Sequence, residues 1–157
     1  MVTDGNPMLR EFRHIVRVLN TDLDGTQSVA YALTRIKGIG IRLADAIVKK
    51  AGVNPNERLG FLSDSEIERI ERIAKDPIGH GIPAWFLNRR KDLETGKDLH
   101  LIGSDLELQI KNDIELMKAI KSWRGYRHAY GLKVRGQRTR TTGRTGKTVG
   151  VRRKRRR

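Results

Sequence analysis

Val29-Ala-Tyr-Ala-Leu-Thr-Arg-Ile-Lys-Gly-Ile-Gly-Ile-Arg-Leu-Ala-Asp-Ala-Ile-Val-Lys-Lys-Ala-Gly52 is the stretch on which the fold turns. Val29, Leu33 and Ile36 recur at helical spacing behind the candidate N-caps Thr26 and Ser28, which predicts a helix to about Lys37 that Gly38 stops. A second helix resumes near Ile41 with Leu43, Ala44, Ile47 and Val48 on one face. It ends at Gly52, with Lys49 and Lys50 in the last turn where cations suit the helix dipole. Two amphipathic helices joined by Ile36-Lys-Gly-Ile-Gly40 make a helical hairpin whose turn has two readings. Its bare backbone N–H groups, flanked by Lys37 and Arg42, can approach a phosphate at Gly38 and Gly40. Alternatively the turn is an ordinary helix stop with Ile39 tucked into the core.

Upstream, Arg13-His-Ile-Val-Arg-Val-Leu19 is β-branched and reads as a short strand or extended arm ending at turn residues Asn20 to Gly25. Downstream, Ser63-Asp-Ser-Glu66 has capping-box spacing ahead of Ile67, Ile70 and Ala74, and Glu68 faces Arg72 at i,i+4. This third helix ends before Pro77. Trp85-Phe-Leu87 and Leu99-His-Leu-Ile102 flank Glu94-Thr-Gly-Lys97, a β-hairpin signal within about residues 77–103. Ser104-Asp-Leu-Glu107 repeats the capping-box spacing, and Leu106, Ile110, Ile114, Met117 and Ile120 predict a long fourth helix reaching about Trp123. The fold class is therefore mainly α, with a small β-hairpin insertion and a long basic C-terminal extension.

The extension dominates the charge. From Arg124 to Arg157 the chain places fourteen of its 33 Lys and Arg and none of its 18 acids, while the preceding residues are nearly neutral. A body of residues 1–123 with a cationic arm of residues 124–157 is the build of a polyanion binder, because each phosphate neutralised releases condensed counterions. A membrane surface is a poorer partner, since the arm has no bulky apolar face to insert. Burial within the arm cannot offset the roughly 1–2 kcal/mol per residue lost on ordering backbone, so its order must come from a partner.

Trp123-Arg-Gly-Tyr-Arg-His-Ala-Tyr130 interleaves rings with cations, which could stack on bases while pairing with phosphates, unless Trp123 and Tyr126 finish the core. Trp123 is expected to finish the core at the end of the long helix, and Arg124, Arg127 and His128 to meet RNA. Arg135-Gly-Gln-Arg-Thr-Arg-Thr-Thr-Gly-Arg144 alternates cations with small residues, a thin chain able to thread between nucleic-acid helices. The absence of Cys excludes disulfides and Cys-ligated zinc, and His14, His80, His100 and His128 lack metal-ligand spacing, so no cofactor or metal is expected. Glu66, Glu68 and Glu71 read as a solvated helix face, and no nucleophile–base arrangement can be assembled. The longest apolar run, Val29 to Leu33, falls far below the roughly 20 residues of a membrane span, and an intracellular protein is expected.

Lys37-Gly-Ile-Gly40 followed by Ala44, Gly52-Val-Asn-Pro55, Arg124-Gly-Tyr-Arg-His128, Gly131-Leu132 and Val134-Arg-Gly-Gln-Arg-Thr139 together resemble a known family. It is the small-subunit ribosomal protein family numbered thirteen in bacteria and eighteen in eukaryotes. The resemblance covers almost the whole chain. Pro83-Ala-Trp-Phe-Leu-Asn-Arg-Arg90 and the ending Thr141 to Gly150 depart from the bacterial pattern and look like archaeal and eukaryotic members. The resemblance implies a helix-two-turns-helix body in the head of the small subunit of the cytoplasmic ribosome. It further implies binding to small-subunit rRNA beside a neighbouring head protein, a bridge to a large-subunit protein, and contact with peptidyl-site tRNA. On this basis Lys133, Arg135, Arg138 and Arg140 join Lys37, Gly38, Gly40, Arg42, Arg124, Arg127 and His128 as rRNA candidates. Arg144, Lys147, Arg152, Arg153 and Lys154 are the tRNA candidates. Two other classes compete: a base-flipping DNA-repair glycosylase, which shares the helix-two-turns-helix element but which the missing Cys and the Met1-Val-Thr-Asp-Gly start disfavour, and a DNA-compacting protein, which the basic tail alone would permit.

Overall fold

The computed structural model describes residues 12–143 together with Gly146 and Gly150. The chain divides into two compact units, residues 1–108 and 109–157.

The first unit opens on a β-hairpin. β1 (Ile15–Val18) pairs antiparallel with β2 (Thr21–Asp24) in the register Val16↔Leu23 and Val18↔Thr21. Leu19 and Asn20, at φ 48° and 60°, form the two-residue connection. Positive φ at both central residues is what a turn needs to match the twist of its strands. The Asn20–Gly25 stretch thus contains a second strand, where a turn alone was expected. β-Branched composition flagged only the first strand, whereas Thr21-Asp-Leu-Asp24 is held by its pairing and by the burial of Leu23. The backbone N–H of Leu19 donates to Glu71 Oε1 at 2.8 Å, which ties the hairpin to the third helix. Glu71 therefore has a structural partner that a simple solvated face would lack.

α1 is only Val29–Leu33, and Thr34 to Ile36 continue in turns, so the helix expected to Lys37 stops one turn early. α2 (Ile41–Ala51) follows, and Gly52 at φ 71° terminates it as its N–H reaches Lys49 O at 3.2 Å and that of Val53 reaches Val48 O at 3.2 Å. This is the left-handed glycine stop anticipated from sequence. α3 (Asp64–Lys75) begins with Glu66 Oε2 accepting from the Ser63 backbone at 2.8 Å, the capping-box bond. Leu23, Leu33, Ile36, Ile47, Leu59 and Ile70 are fully buried between the hairpin and these helices. At about 1.5–3 kcal/mol for each such side chain, this cluster is the source of the unit's stability.

The hairpin expected within about residues 77–103 is much reduced. A single antiparallel bridge, Arg89↔Leu99, remains of it, and Ala84–Phe86 form one 3-10 turn. Side chains capture the backbone that a ladder would have used. Asp92 accepts Arg89 Nε at 2.6 Å, Thr95 Oγ1 at 2.9 Å and the Thr95 N–H at 3.2 Å, while Asp98 Oδ1 accepts the Lys91 N–H at 2.8 Å. The Arg89 hydrogen bond, followed by those from Thr95, holds the Asp92 carboxyl at about 2.

His100 lies beside this loop, with both ring nitrogens buried and neither hydrogen-bonded among the described residues. Burial pushes its pKa below the ordinary value of 6.5. Its folded-state pKa is depressed, so acid charges the unfolded chain first and stability falls as pH drops below about 6.5. His100→Leu should remove that slope and raise stability at pH 5, because two unsatisfied buried nitrogens disappear. Melting temperature measured from pH 8 to 5 reads the effect, and parallel profiles for the two proteins would contradict it.

α4 (Gly103–Ala119) starts one residue before Ser104, contains no buried residue, and ends earlier than expected. Lys121 takes φ 55° and the Ser122 N–H bonds Met117 O at 3.2 Å, closing the helix. Trp123 instead opens a separate helix, α5 (Trp123–Ala129), whose N-cap Ser122 Oγ accepts from Gly125 N at 3.1 Å. Helical spacing alone carries no sign of such a break, because the apolar stripe continues across it.

Candidate nucleic-acid interface

In the first unit the glycine turn brings Lys37, Gly38, Gly40 and Arg42 together, as their spacing requires. The two glycines play different parts. Gly38 has φ 102°, and a β-carbon there would lie 2.5 Å from the Leu101 carbonyl oxygen. The neighbouring Lys37 carbonyl accepts from the Gly103 N–H at 2.8 Å, and Asn88 Nδ2 donates to Leu101 O at 2.7 Å. Gly38 is thus required by its own protein's backbone. Gly40, extended and exposed, is the N-cap of α2, and open space surrounds the position of its missing side chain. Arg42 is exposed beside it, whereas Lys37 donates to the Glu107 carboxylate. Ile39 is buried in the core, as the helix-stop reading expects, while Gly40 leaves its backbone exposed.

These roles separate by mutation. Gly38→Ala should destabilise the fold by about 2 kcal/mol or more, through the forced φ and the clash with Leu101. Gly40→Ala should cost no more than about 1 kcal/mol, the loss of a favoured N-cap residue in open space. Chemical denaturation of both variants checks this, and equal losses would mean that the turn behaves as one unit.

In the second unit, Arg124 is exposed and His128 half-buried on α5. Arg127 is partly occupied within the protein, donating through Nε and Nη2 to the Lys133 carbonyl at 3.0 and 2.8 Å. That clamp turns the chain after α5, helped by the Leu132 N–H on Arg127 O at 2.9 Å. Arg135, Arg138 and Arg140 are exposed along the segment that follows. Arg144, Lys147, Arg152, Arg153 and Lys154 lie outside the described residues.

Two features escaped the sequence reading. Gly125 is buried, and a β-carbon on it would stand 2.5 Å from the Met117 carbonyl carbon and 2.7 Å from Lys118 N. Trp123 was expected in the core and is instead 73% exposed. The spacing of Trp123, Tyr126 and Tyr130 at i, i+3 and i+7 already placed the rings on one helix face, but periodicity does not say which way a face points.

Among the described residues no group of His, Asp and Glu is arranged to hold a metal ion, and no helix is long and apolar enough to cross a membrane. A small helical body with an exposed glycine turn and an acid-free cationic extension defines the class of RNA-associated structural proteins. Residues 17–145 match the family described as ribosomal protein S13/S18. The chain is 59% identical over 143 residues to the small ribosomal subunit protein uS13 of Hyperthermus butylicus, covering 91% of this chain and 95% of that one. It is 58% identical over 147 residues to uS13 of Staphylothermus marinus, covering 94% and 97%, and 51% over 149 residues to that of Methanothermobacter thermautotrophicus, covering 95% and 100%. The chain belongs to the ribosomal protein S13/S18 family, and its role is structural and not enzymatic. These relatives are archaeal, in line with the resemblance to archaeal and eukaryotic members.

Proposed function

We propose that this protein is built into the head of the small subunit of the cytoplasmic ribosome, where it binds small-subunit rRNA through two surfaces. The first is the Gly40 turn with Arg42 and Lys37, and the second is α5 and the arm from Arg124 to Arg140. Beyond Arg140, the cations Arg144, Lys147, Arg152, Arg153 and Lys154 contact tRNA in the peptidyl site. The body also touches a neighbouring head protein and contributes to the bridge with a large-subunit protein.

The observation that carries this reading is the charge segregation: fourteen cations and no acid from Arg124 to the end, on a chain whose remainder is almost neutral. Phosphate charge is the chief source of affinity for a nucleic acid, and an arm without acids meets it without internal competition. At α2, the first-turn N–H groups have no side-chain cap and the first turn carries no acid, which leaves them available to a phosphate oxygen.

The test is a crosslink map of the protein within purified small subunits, combined with tRNA dissociation from subunits reconstituted with and without residues 144–157. Crosslinks from the Gly40 turn and from 124–140 to rRNA are expected, together with faster tRNA release without the terminal residues. The acceleration should be similar for two unrelated tRNAs, since phosphate contacts carry no base information. Unchanged tRNA release across a salt series would confine the arm to rRNA.

A further inference from the structure

We propose that Trp123, Tyr126 and Tyr130 form a stacking platform for unpaired RNA bases, so that α5 selects single-stranded nucleotides in addition to phosphate charge. The inference rests on the RNA-binding reading above and adds a chemical selectivity to it.

The three rings line one face of α5. Trp123 and Tyr126 are nearly parallel, at 9° with centroids 5.5 Å apart, and Tyr126 and Tyr130 are 4.6 Å apart at 45°. Their exposures are 73%, 51% and 66%. A stripe of large rings at this spacing ordinarily faces a core. Here the only buried residue of α5 is Gly125, which lies on the far side of the helix at 100° per residue. The helix therefore docks by its glycine and holds the rings outward.

The platform is also pre-organised. The backbone approach at Gly125, the Ser122 cap and the Arg127 clamp on Lys133 O fix α5, and Arg127 Cζ sits 6.0 Å from the Trp123 ring centroid. Rings already placed lose less freedom on binding, which favours affinity.

Charge decides which partner the face fits. Arg127 sits beside the Trp123 ring, Arg124 and Lys133 are its neighbours along the chain, and no acid occurs from Arg124 onward. An apolar protein surface would leave those cations without counter-charges. Unpaired nucleotides supply a π-face for each ring and a phosphate for each cation. Bases inside a duplex are stacked on one another and offer no free face, so the platform discriminates by strandedness.

The chain has two tryptophans, Trp85 and Trp123, so full-length Trp85→Phe leaves Trp123 as the sole indole reporter. Titration with an unstructured oligoadenylate should quench its fluorescence saturably, and a duplex of equal phosphate count should bind without comparable quenching. In the otherwise native chain, Trp123→Leu should weaken single-strand binding about tenfold and leave duplex binding unchanged. Tyr130→Leu should act in the same direction, and Tyr126→Phe, which keeps the ring, should bind as the parent does. Circular dichroism of each variant confirms that helix content is retained. Binding of both RNAs without quenching, or equal single-strand affinity for Trp123→Leu and the parent, would overturn the platform and leave charge-driven rRNA binding standing. Failure to bind either RNA at low salt would remove the RNA reading itself. Quenching by another small-subunit protein and not by RNA would replace the platform with a protein contact.

Discussion

Replacing Gly125 with alanine should detach α5 from the end of α4. Gly125 meets the Met117 and Lys118 backbone so closely that a β-carbon would stand 2.5 Å from one carbonyl carbon and 2.7 Å from an amide nitrogen. Neither neighbour is a flexible side-chain tip that could move aside. The Met117 carbonyl already accepts the Ser122 N–H at 3.2 Å and Ser122 Oγ at 2.9 Å, so displacing α5 also disturbs the bonds that end α4 and begin α5. Overpacking a tight contact costs about 1–3 kcal/mol, and the lost cap adds about 1 kcal/mol. A seven-residue helix cannot persist unaided against such a loss. Amide hydrogen exchange should therefore quicken from Ser122 to Leu132 in Gly125→Ala, while α2 and α3 remain protected by their own core. Gly131→Ala is the control: its φ of 65° disfavours a side chain, but nothing lies within 4 Å, so only a local loss of about 1 kcal/mol is expected. Unchanged exchange across α5 in Gly125→Ala would show that the two helix ends part at little cost.

Truncation after Val134 should flatten the salt dependence of rRNA binding. The cut is placed there because Arg127 donates to the Lys133 carbonyl, and a shorter chain would lose that clamp along with the cations. Eleven of the fourteen cations are removed and α5 keeps its surroundings. If about eight of them meet phosphates, the log–log salt slope should change by about 6 to 7, roughly four orders of magnitude in affinity over a fourfold rise in salt. Filter binding from 50 to 200 mM salt, with full-length and truncated protein side by side, measures the difference. Equal slopes would move the electrostatic anchor into the body, and the Gly40 turn with Arg42 would then be the first place to look.

The glycine turn shows how far a local pattern reaches. Ile36-Lys-Gly-Ile-Gly40 announces a tight connection between two helices from spacing alone, and α2 follows within a residue of its expected start. The pattern treats the two glycines alike. Only the approach of the Leu101 carbonyl, more than 60 residues away in the chain, makes Gly38 a packing requirement and leaves Gly40 open to solvent. The rings of α5 follow the same logic. Their helical spacing is written in the chain, but their exposure depends on which side of α5 meets α4, and Gly125 settles that through a backbone contact that no hydrophobicity pattern records.

The sequence by itself determined whatever depends on near neighbours: the faces of α2 and α3, the Ser63–Glu66 cap, the Gly52 stop, and the separation of charge that marks the arm. These follow from periodicities of a few residues and from composition, which act before the chain folds. The tertiary structure decided the second strand at Thr21–Asp24, the reduction of the 77–103 hairpin to one bridge, the break between α4 and α5, and the outward turn of Trp123. Each of these depends on where a backbone N–H or an apolar face finds its partner. Where several partners are chemically equivalent, the choice rests with packing between segments distant in the chain.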